Sequence, residues 1–593
     1  MRLALPFGAV GAAAALAAAL LTSSADAATA LPRPTVKPAT SAPSLTELEQ
    51  RVAGALAGDD TAGQTSKASM SSSTTGSGDG TVDAKIIGGT TTSITSAPWM
   101  AQLWYYDDRG TTSETDDIGF FCGGTVVAPT KVLTAAHCVK GYDWYAHGAV
   151  ITGTSQLPTT DDAGNTDLHG GTVSGVWRQW NHPSYDATAI DNDVAVLTLP
   201  TSVKVTPIRM TTSGDTASYA AGTSATVYGW GRTSSTSQST SDTLKTATLP
   251  VQSDTTCANA YGDWFIKGHM VCAGQPATGS DSGTTAICNG DSGGPLVVNN
   301  RVIGVVSWGV EDCVAKGSYS VFAKVSTYVG ATYPRIDDTN VNGDHKADLW
   351  VRNASTGTGY SKNSTGTSFA TRESWGRWDG VNVVLQTDLN RDGYQDLVYR
   401  ASSTGDVYWT HYVPASGTWA TQQIADNWAS RTRILTPGDV TGDYLPDLLS
   451  VDSAGYLWIY PGNGNGTFAP RVQVGSGWNQ YNSLRGHGDF TGDGKADLIA
   501  RSKSDGSVYL YKGTGKAGTG AFSSRIKVRT WSSTTYNAFD AVGDITGDGK
   551  ADFLARTPGG TLYLYKGTGK ATSEIFATRI SVGTGFQQYD IWG

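Results

Sequence analysis

A single serine, Ser292, stands in the stretch Ala286-Ile-Cys-Asn-Gly-Asp-Ser-Gly-Gly-Pro295. Glycines on both sides of it let the backbone turn sharply and bring its N–H groups close to a bound carbonyl oxygen. Acyl transfer needs such a nucleophile with hydrogen-bond donors beside it. A serine in a glycine-rich turn usually marks only a turn, so its interpretation depends on what the rest of the chain supplies.

Two upstream stretches supply a base and an acid. His137 lies in Leu133-Thr-Ala-Ala-His-Cys138, and Asp193 lies directly before an apolar strand in Asp191-Asn-Asp-Val-Ala-Val-Leu197. The three motifs together resemble those of the chymotrypsin (trypsin-like) family of serine proteases, over roughly residues 86–334. The order His, Asp, Ser along the chain is that family's order and differs from those of subtilisins and α/β-hydrolases.

The resemblance assigns a role to each motif residue. Ser292 is the expected nucleophile and His137 the base, since the pKa of histidine lies near neutrality. Asp193 is expected to orient the imidazole and offset its charge. Asp191 is a nearby rival, but the family motif places the acid directly before the strand. The backbone N–H groups of Gly290 and Ser292 are the expected oxyanion hole.

The junction between Lys85 and Ile86-Ile-Gly-Gly89 resembles a zymogen activation site. Cleavage after Lys85 would free a positive α-amine on Ile86, which in the family pairs with the acid before the nucleophile, here Asp291. A buried carboxylate without a partner is costly, so this ion pair can hold the oxyanion loop in its active shape. The alternative is that Ile-Ile-Gly-Gly is an ordinary first strand.

The residues expected to contact the substrate depart from trypsin. Family members that cut after Lys or Arg carry an aspartate six residues before the nucleophile, where this chain has Ala286. Ser320 is expected on the far wall of the pocket and Gly309 at an open entrance. A buried Lys or Arg side chain would lack a counter-ion there, so the sequence predicts an apolar or small P1 residue.

The stretch Ser307-Trp308-Gly309 is the expected edge that pairs with a substrate backbone by strand addition. Trp308 could instead be plain core. Two acids that follow, Glu311 and Asp312, leave a second interpretation open, in which one of them turns inward and gives Lys/Arg specificity.

Length and composition indicate several β-rich units. A chain of 593 residues is too long for one core, and its 73 glycines and 16% charged residues are typical of short strands and many turns. The net charge of −9 argues against a nucleic-acid partner. We therefore expect an all-β protein with a double antiparallel β-barrel over 86–334 and a β-propeller-like repeat domain over 335–593.

All six cysteines lie in the protease-like region. Sequence alone allows fifteen pairings, and the family resemblance selects three of them: Cys122–Cys138, Cys257–Cys272 and Cys288–Cys313.

The N-terminal residues indicate secretion. A charged start and an Ala-rich apolar run predict a signal peptide over 1–30, and no later stretch is long and apolar enough to anchor the chain in a membrane. Residues 31–85 read as a propeptide, with a short helix from Leu45 to Leu56 and disorder over most of the remainder.

A repeat with a spacing of 48 to 55 residues follows the protease-like region, best seen in Gly488-Asp-Phe-Thr-Gly-Asp-Gly-Lys-Ala-Asp497 and its copy at 543–552. It resembles FG-GAP/VCBS-type repeats, which build propeller blades. Five copies are visible, the first with Asn340 in place of the first acid. The tail Phe586–Trp592 resembles a strand that closes the ring against copy one.

Oxygen ligands at positions 1, 3, 5 and 9 of each loop can converge on a hard cation, and calcium is the expected ion. Asx-rich turns without metal are the alternative. The predicted ligands are Asp388, Asn390, Asp392, Asp396, Asp439, Thr441, Asp443, Asp447, Asp489, Thr491, Asp493, Asp497, Asp544, Thr546, Asp548 and Asp552.

The sequence thus predicts a secreted, zymogen-activated serine endopeptidase that acts on proteins or peptides and needs no cofactor for catalysis. Its repeat domain is expected to bind calcium and to dock on a surface, glycan or protein, or simply to stabilise the chain. Exposed tryptophans could bind glycans, although most are expected in blade cores: Trp375, Trp378, Trp409, Trp419 and Trp428. The rival is an adhesin or binding protein whose protease-like domain is an inactive scaffold.

Overall fold

The computed structural model describes residues 31–38, 43–57, 86–111, 116–212, 215–237, 239–310, 312–337, 339–344, 346–413, 416–443 and 445–593. The predicted signal peptide, Lys85 and Glu311 lie outside these ranges.

Within the described ranges, seventeen strands form the protease-like region. They are β1 (Thr90–Thr91), β2 (Met100–Asp107), β3 (Ile118–Ala128), β4 (Lys131–Thr134), β5 (Gly148–Thr152), β6 (Thr159–Thr160), β7 (Thr166–Asp167), β8 (Thr172–Ser174), β9 (Arg178–Asn181), β10 (Ala195–Thr198), β11 (Arg209–Met210), β12 (Ser224–Gly229), β13 (Lys245–Pro250), β14 (Met270–Ala273), β15 (Pro295–Val298), β16 (Arg301–Trp308) and β17 (Ser320–Lys324).

Two antiparallel sheets curl into the predicted pair of barrels. The first has the order β8-β5-β2-β3-β4-β10-β9, and the second has the order β1-β13-β12-β15-β16-β17-β14, with β11 beside β16. Short β-branched and aromatic runs separated by turns suit such strands. Leu103, Trp104 and Leu133 are buried in the first barrel, and Leu296 and Phe322 in the second.

Helices are few. They are α1 (Leu45–Ala57), α2 (Trp144–His147), α3 (Asp254–Tyr261) and α4 (Val325–Ile336), with 3-10 turns at Ala136–Cys138, Gly262–Trp264, Trp428–Ser430, Trp478–Gln480, Gly518–Gly520 and Phe586–Gln588. Across the described ranges, none of these helices has the length and apolar character needed to cross a bilayer.

The three predicted disulfides are present. Cys122–Cys138, Cys257–Cys272 and Cys288–Cys313 have Cα separations of 6.5, 6.0 and 5.4 Å. Each closes a loop of the protease-like region, and the first holds the loop that carries His137.

The predicted leader helix is α1, and it packs on the first barrel. Leu48, Val52 and Ala55 are buried in the core cluster of that barrel. The Arg51 guanidinium donates a hydrogen bond to the Gly148 carbonyl at 2.9 Å. A Cβ on Gly54 would overlap the Tyr106 ring, so only glycine permits this close approach.

Residues 31–38 of the leader contact the repeat domain instead. The Thr35 amide donates to the Trp375 carbonyl at 3.3 Å, and the Trp419 indole donates to the Val36 carbonyl at 2.6 Å. The described parts of the leader therefore pack against both domains.

Five four-stranded sheets form the repeat domain. Their strands are β18 (Leu349–Asn353), β19 (Thr358–Lys362), β20 (Glu373–Arg377), β21 (Val381–Thr387), β22 (Asp396–Ala401), β23 (Val407–Val413), β24 (Thr418–Ala425), β25 (Arg433–Gly438), β26 (Asp447–Val451), β27 (Leu457–Tyr460), β28 (Val472–Gly475), β29 (Tyr481–Arg485), β30 (Leu498–Ser502), β31 (Ser507–Tyr511), β32 (Ile526–Thr530), β33 (Ala538–Gly543), β34 (Asp552–Arg556), β35 (Leu562–Tyr565), β36 (Ile580–Gly583) and β37 (Tyr589–Trp592).

These sheets are the blades of a five-bladed propeller. The C-terminal strand β37 pairs with β18 and completes the first blade, as the sequence predicts, which removes two exposed sheet edges. The strands nearest the axis are β21, β25, β29, β33 and β37. Trp375, Trp378, Trp409 and Trp428 are buried between strands, and Trp419 is half-buried, so these side chains serve blade packing.

Helix α4 joins the two domains and ends beside the predicted boundary. It approaches the repeat loops closely, since a Cβ on Gly330 would lie 2.8 Å from the Gly492 carbonyl. Just after the helix, Asp337 is buried and forms an ion pair with Arg391 at 2.7 Å. The Trp177 ring of the first barrel stacks on Tyr394 of the second blade at 4.3 Å. The protease-like region thus packs on the loop end of the propeller.

Candidate active site

His137 and Asp193 meet between the two barrels. The Nδ1 atom of His137 lies 2.8 Å from Oδ2 of Asp193, and the His137 backbone amide donates to Oδ1 at 2.9 Å. Asp193 is 1% exposed. Two contacts to one residue fix both the position and the ring orientation of His137.

The charge of Asp193 also sets the basicity of His137. Burial of the ring lowers the pKa of His137, but the Asp193 charge and hydrogen bond raise it more, so the net pKa is raised. A base with a raised pKa accepts a proton more readily, which suits general-base chemistry near neutral pH.

Ser307 has a role that the sequence analysis missed. Its hydroxyl donates to Oδ2 of Asp193 at 2.6 Å, the same oxygen that faces the imidazole. The motif Ser307-Trp308-Gly309 indicated only a backbone edge, because a contact between residues 114 positions apart leaves no local signal. Trp308 packs edge-on against Tyr261 and is largely buried.

The rival acid Asp191 faces another residue. Its Oδ1 atom lies 2.7 Å from Nδ1 of His269. The structure therefore brings Asp193, and not Asp191, to His137.

Ser292 is held at the same cleft by backbone contacts. Its carbonyl accepts from the Gly123 amide at 2.7 Å, next to the Cys122–Cys138 disulfide that fixes the histidine loop. Gly293 packs so closely on Thr134 that a Cβ there would overlap the threonine hydroxyl. In the described part of the chain, the Ser292 hydroxyl and the His137 ring form no hydrogen bond; such contacts commonly tighten only when substrate binds.

The predicted oxyanion donors are available. Gly290 has φ +91°, and a Cβ there would lie 3.0 Å from Gly231, so a larger residue would strain the loop. Neither the Gly290 amide nor the Ser292 amide has an acceptor among the described residues. Two unpaired N–H groups beside a serine hydroxyl can stabilise a developing oxyanion.

Asp291 is buried behind this loop. Its oxygens accept from the amides of Gly231 at 2.8 Å and Cys288 at 3.0 Å. Burial raises its pKa to about 7 against the opposing effect of these hydrogen bonds. Ile86 is also fully buried, in the core cluster that contains Ile287.

A cavity of about 40 Å³ opens beside Ser292. Its wall includes Ile287, Val306, Ser307 and Gly309, and none of the lining residues that the structure describes is charged. A Cβ on Gly309 would meet no atom within 4 Å, which agrees with an open entrance.

Two residues predicted at this pocket lie just behind its wall. The Ser320 hydroxyl accepts from the Ile287 amide at 3.0 Å, and Ala286 is buried next to Ile287. Ile287 therefore takes the wall position expected for Ala286. Asp312 is exposed, and its carboxylate caps the turn at Val314 and Ala315, so it faces away from the cavity.

In the repeat loops, the ninth-position acids act as braces. Asp497 accepts from the amides of Phe490 and Thr491 within its loop and from Gly513 in the following hairpin. Asp447 and Asp552 make the equivalent contacts to Gly462 and Gly567. These carboxylates, predicted as metal ligands, thus tie each loop to its own blade.

The first- and fifth-position acids fit a cation better. In the fourth loop, Asp489 is buried, and burial followed by the Asp493 charge raises its pKa to about 6. One oxygen of Asp493 is buried without a hydrogen-bond partner in the described chain. Two buried carboxylates that repel each other, one of them with an oxygen that has no hydrogen-bond partner, are ligands that a hard cation prefers. Within the described loops, however, three carboxylate oxygens do not lie within 4.8 Å of one another.

The fifth loop differs because a buried cation of the protein contacts its first-position acid. The Arg335 guanidinium, at the end of α4, contacts Asp544, and both side chains are 2% exposed. The other predicted ligands of the loop, Thr546 and Asp548, lie in the same turn around Asp544. This ion pair was not visible in the sequence, since its partners are 209 residues apart.

Comparisons with known proteins follow the two-domain division. The family model "Trypsin" matches residues 86–331, and the model "FG-GAP-like repeat" matches residues 489–555. The second match falls on the fourth and fifth loops, the two copies that are clearest in the sequence.

The relatives named here match about 250 residues, the length of the protease-like region. "Trypsin" from Saccharopolyspora erythraea is 41% identical over 252 residues, which cover 42% of this chain and 98% of the relative. "Serine protease 1" from Canis lupus familiaris is 33% identical, and "Kallikrein-14" from Homo sapiens is 34% identical, each over 248 residues. These cover 42% and 41% of this chain, and 88% and 81% of the respective relatives. Together with the double barrel, they show that this chain belongs to the trypsin family and carries a serine endopeptidase domain of the chymotrypsin fold, followed by FG-GAP-like repeats.

Proposed function

We propose that the protein is a secreted serine endopeptidase that cleaves peptide bonds with Ser292, His137 and Asp193. The observation that carries this proposal is the buried Asp193 carboxylate, which holds the His137 ring at 2.8 Å beside the serine loop. Stoichiometric labelling of Ser292 by a fluorophosphonate, after cleavage at Lys85, tests the proposal.

In the proposed reaction, Nε2 of His137 takes the Ser292 proton while the serine oxygen bonds to the substrate carbonyl carbon. The amides of Gly290 and Ser292 stabilise the oxyanion. The imidazolium then protonates the leaving amine as the C–N bond breaks. A water molecule then attacks the acyl-enzyme while the same ring takes a proton from it. The ester C–O bond breaks, and the ring returns the proton to the Ser292 oxygen.

Activation is proposed to proceed by cleavage after Lys85. The Asp291 carboxylate is buried beside the oxyanion loop and has only backbone donors as described partners. A new α-amine on Ile86 would supply the missing positive charge, which favours the ionised carboxylate and fixes the loop. An extracellular location is supported by the three disulfides, which persist in oxidising compartments.

The proposed P1 preference is apolar or small. None of the described residues that line the cavity beside Ser292 is charged, and Asp312 is exposed with its carboxylate capping a turn. Relatives named trypsin favour the alternative, cleavage after Lys or Arg. Profiling of the activated enzyme with a peptide library separates the two preferences.

Peptide-library profiling of the activated enzyme should show P1 Leu, Phe or Ala preferred over Lys and Arg by about 100-fold in kcat/KM. An unpaired buried cation costs roughly 3 kcal/mol, which corresponds to that factor. Ile287→Asp, which places a carboxylate at the cavity wall, should shift the preference toward Lys and Arg, and Ile287→Asn, of similar size, should not. Efficient cleavage after Lys by the wild-type enzyme, or self-processing of the precursor at Lys85, would contradict the assignment.

A calcium role for the repeats is proposed for the second, third and fourth loops. In the fourth loop, Lys512 and Lys495 lie 3.0 and 3.6 Å from Oδ2 of Asp493, and Oδ1 is the oxygen that faces no donor among the described residues. In the fourth loop, Asp489 and Asp493 would hold the ion with Thr491, while Asp497 remains a brace. The bound ion would offset the repulsion between the buried carboxylates and so stabilise the blade. The proposed ligands of the second loop are Asp388, Asn390, Asp392 and Asp396, and those of the third loop are Asp439, Thr441 and Asp443, with Asp447 as the brace.

Calcium at about 100 times its Kd should raise the Tm of the propeller by roughly 5–10 °C, since such binding stabilises by about 2.7 kcal/mol. Calorimetry of the full chain in calcium and in chelator measures the shift. Asp493→Asn should reduce the shift, whereas Asp505→Asn, on an exposed turn, should leave it unchanged. An identical Tm with and without calcium would refute metal binding.

A further inference from the structure

An open cavity of about 460 Å³ lies at the end of the propeller channel where the inner strands begin. We call it the channel mouth. The volume falls within the ~300–1,000 Å³ typical of small-molecule pockets. The repeat loops follow the opposite ends of the same strands and pack on α4, so the channel mouth faces away from the protease domain.

The channel mouth is strongly positive. Five arginines line it: Arg400, Arg433, Arg485, Arg501 and Arg556. Asp590, the one acid among the described lining residues, is paired with Arg352 at 2.6 Å, and Arg485 lies 3.6 Å from Asp540 just outside the lining. The chain as a whole carries a net charge of −9, so this concentration of positive charge is local. A concave site lined by one sign of charge attracts ligands of the other sign.

Three blades repeat the same asparagine–arginine pair. Nε of Arg400 donates to Oδ1 of Asn382 at 2.8 Å, and Arg501 donates in the same way to Asn482 at 2.8 Å. The third pair is Arg556 and Asn537, at 3.1 Å. Since Oδ1 accepts from the arginine, the amide nitrogen of each asparagine is left as a donor, and it has no acceptor among the described residues.

The arginines are held in place by the neighbouring blade. Nη1 of Arg400 donates to the Arg431 carbonyl at 2.8 Å, and Nη1 of Arg556 donates to the Tyr589 carbonyl at 2.9 Å. Their Nη2 groups make no hydrogen bond within the part of the chain that the structure describes. Donors fixed in this way lose little conformational entropy when they bind a ligand.

Arg433 is the least compensated of these charges. Its guanidinium donates to the carbonyls of Thr432 and Asn482 and contacts no described carboxylate. Burial, and then the neighbouring charge of Arg485, lower its pKa. An anion placed between the two guanidinium groups would relieve this repulsion.

We propose that the channel mouth binds a compact ligand with several oxyanion groups, of the phosphate or sulfate ester class. Guanidinium and amide donors arranged around an axis match the oxygens of such groups. The volume exceeds the need of a single small ion, so several groups on one ligand should bind better than one group alone.

Titration calorimetry on the full chain tests this with tripolyphosphate, sucrose octasulfate and inorganic monophosphate as separate probes. Either polyvalent probe should bind more tightly than monophosphate, and the comparison between them distinguishes phosphate from sulfate chemistry. Binding should weaken as salt rises from about 0.05 M to about 0.5 M. No binding of either polyvalent probe at low salt would overturn the proposal.

Two single-charge variants make the test specific. Asn482→Asp keeps an acceptor for Arg501, just as Asp590 accepts from Arg352, but adds a negative charge; it should weaken binding about tenfold. Asp590→Asn gives Arg352 the asparagine partner that the arginines of the three other blades have. It also removes a negative charge from the channel mouth, so it should tighten binding. Both variants should keep the wild-type Tm and peptidase activity. Unchanged affinity in a folded Asn482→Asp variant would refute the site.

Discussion

Replacing Ser292 by alanine should lower kcat for peptide hydrolysis about a millionfold, the scale of losing a serine nucleophile. The loss follows because the other hydroxyl among the described lining residues of the cavity, that of Ser307, is committed to Asp193 at 2.6 Å and cannot replace the nucleophile. Active-site-titrated enzyme and a chromogenic peptide measure the effect. KM should change little, because the alanine leaves the cavity intact.

Ser307→Ala is the matched control for this variant. It removes a hydroxyl from the same cleft but not the nucleophile, so its kcat should fall by about 10- to 100-fold, the value of one hydrogen bond to a charged group. Residual hydrolysis in Ser292→Ala comparable to that of the control would show that the activity has another source, and the proposed triad would be wrong.

The sequence reveals the chemistry of this protein better than it reveals how the parts are joined. The motifs around His137, Asp193 and Ser292 are local, and the acid directly before the apolar strand is the one that meets the histidine. The disulfide pairing came from the family resemblance, and the coordinates confirm it. The closing strand was also predictable, because Phe586–Trp592 repeats a pattern found in every blade.

Contacts between distant residues could not be predicted in this way. Arg335 meets Asp544, and Ser307 meets Asp193, through folds of the chain that no local pattern encodes. The repeat motif predicted the ninth-position acids as metal ligands, although in the third, fourth and fifth loops the backbone already uses them. A motif specifies which atoms are present, whereas packing decides which of them remain free.

Asp193→Asn should lower kcat about ten-thousandfold while the fold persists. The hydrogen bonds of Asp193 explain why. Oδ1 accepts from the His137 backbone amide, so the oxygen of an asparagine must stay there, and its NH₂ group must face Nδ1 of the ring. Nδ1 then becomes an acceptor, the ring proton moves to Nε2, and the base can no longer take the Ser292 proton.

The same variant should change the pH profile in a defined direction. Burial lowers the pKa of His137, whereas the Asp193 charge raises it. Without that charge the pKa falls, so the acid limb of kcat/KM, which reports protonation of the free base, should move to lower pH. Asp191→Asn is the matched control, because Asp191 contacts His269 instead and its loss should leave both the rate and the limb near wild type. If Asp193→Asn lost activity with an unshifted limb, or if Asp191→Asn reproduced the loss, the carboxylate at Asp193 would not be the group that sets the basicity of His137.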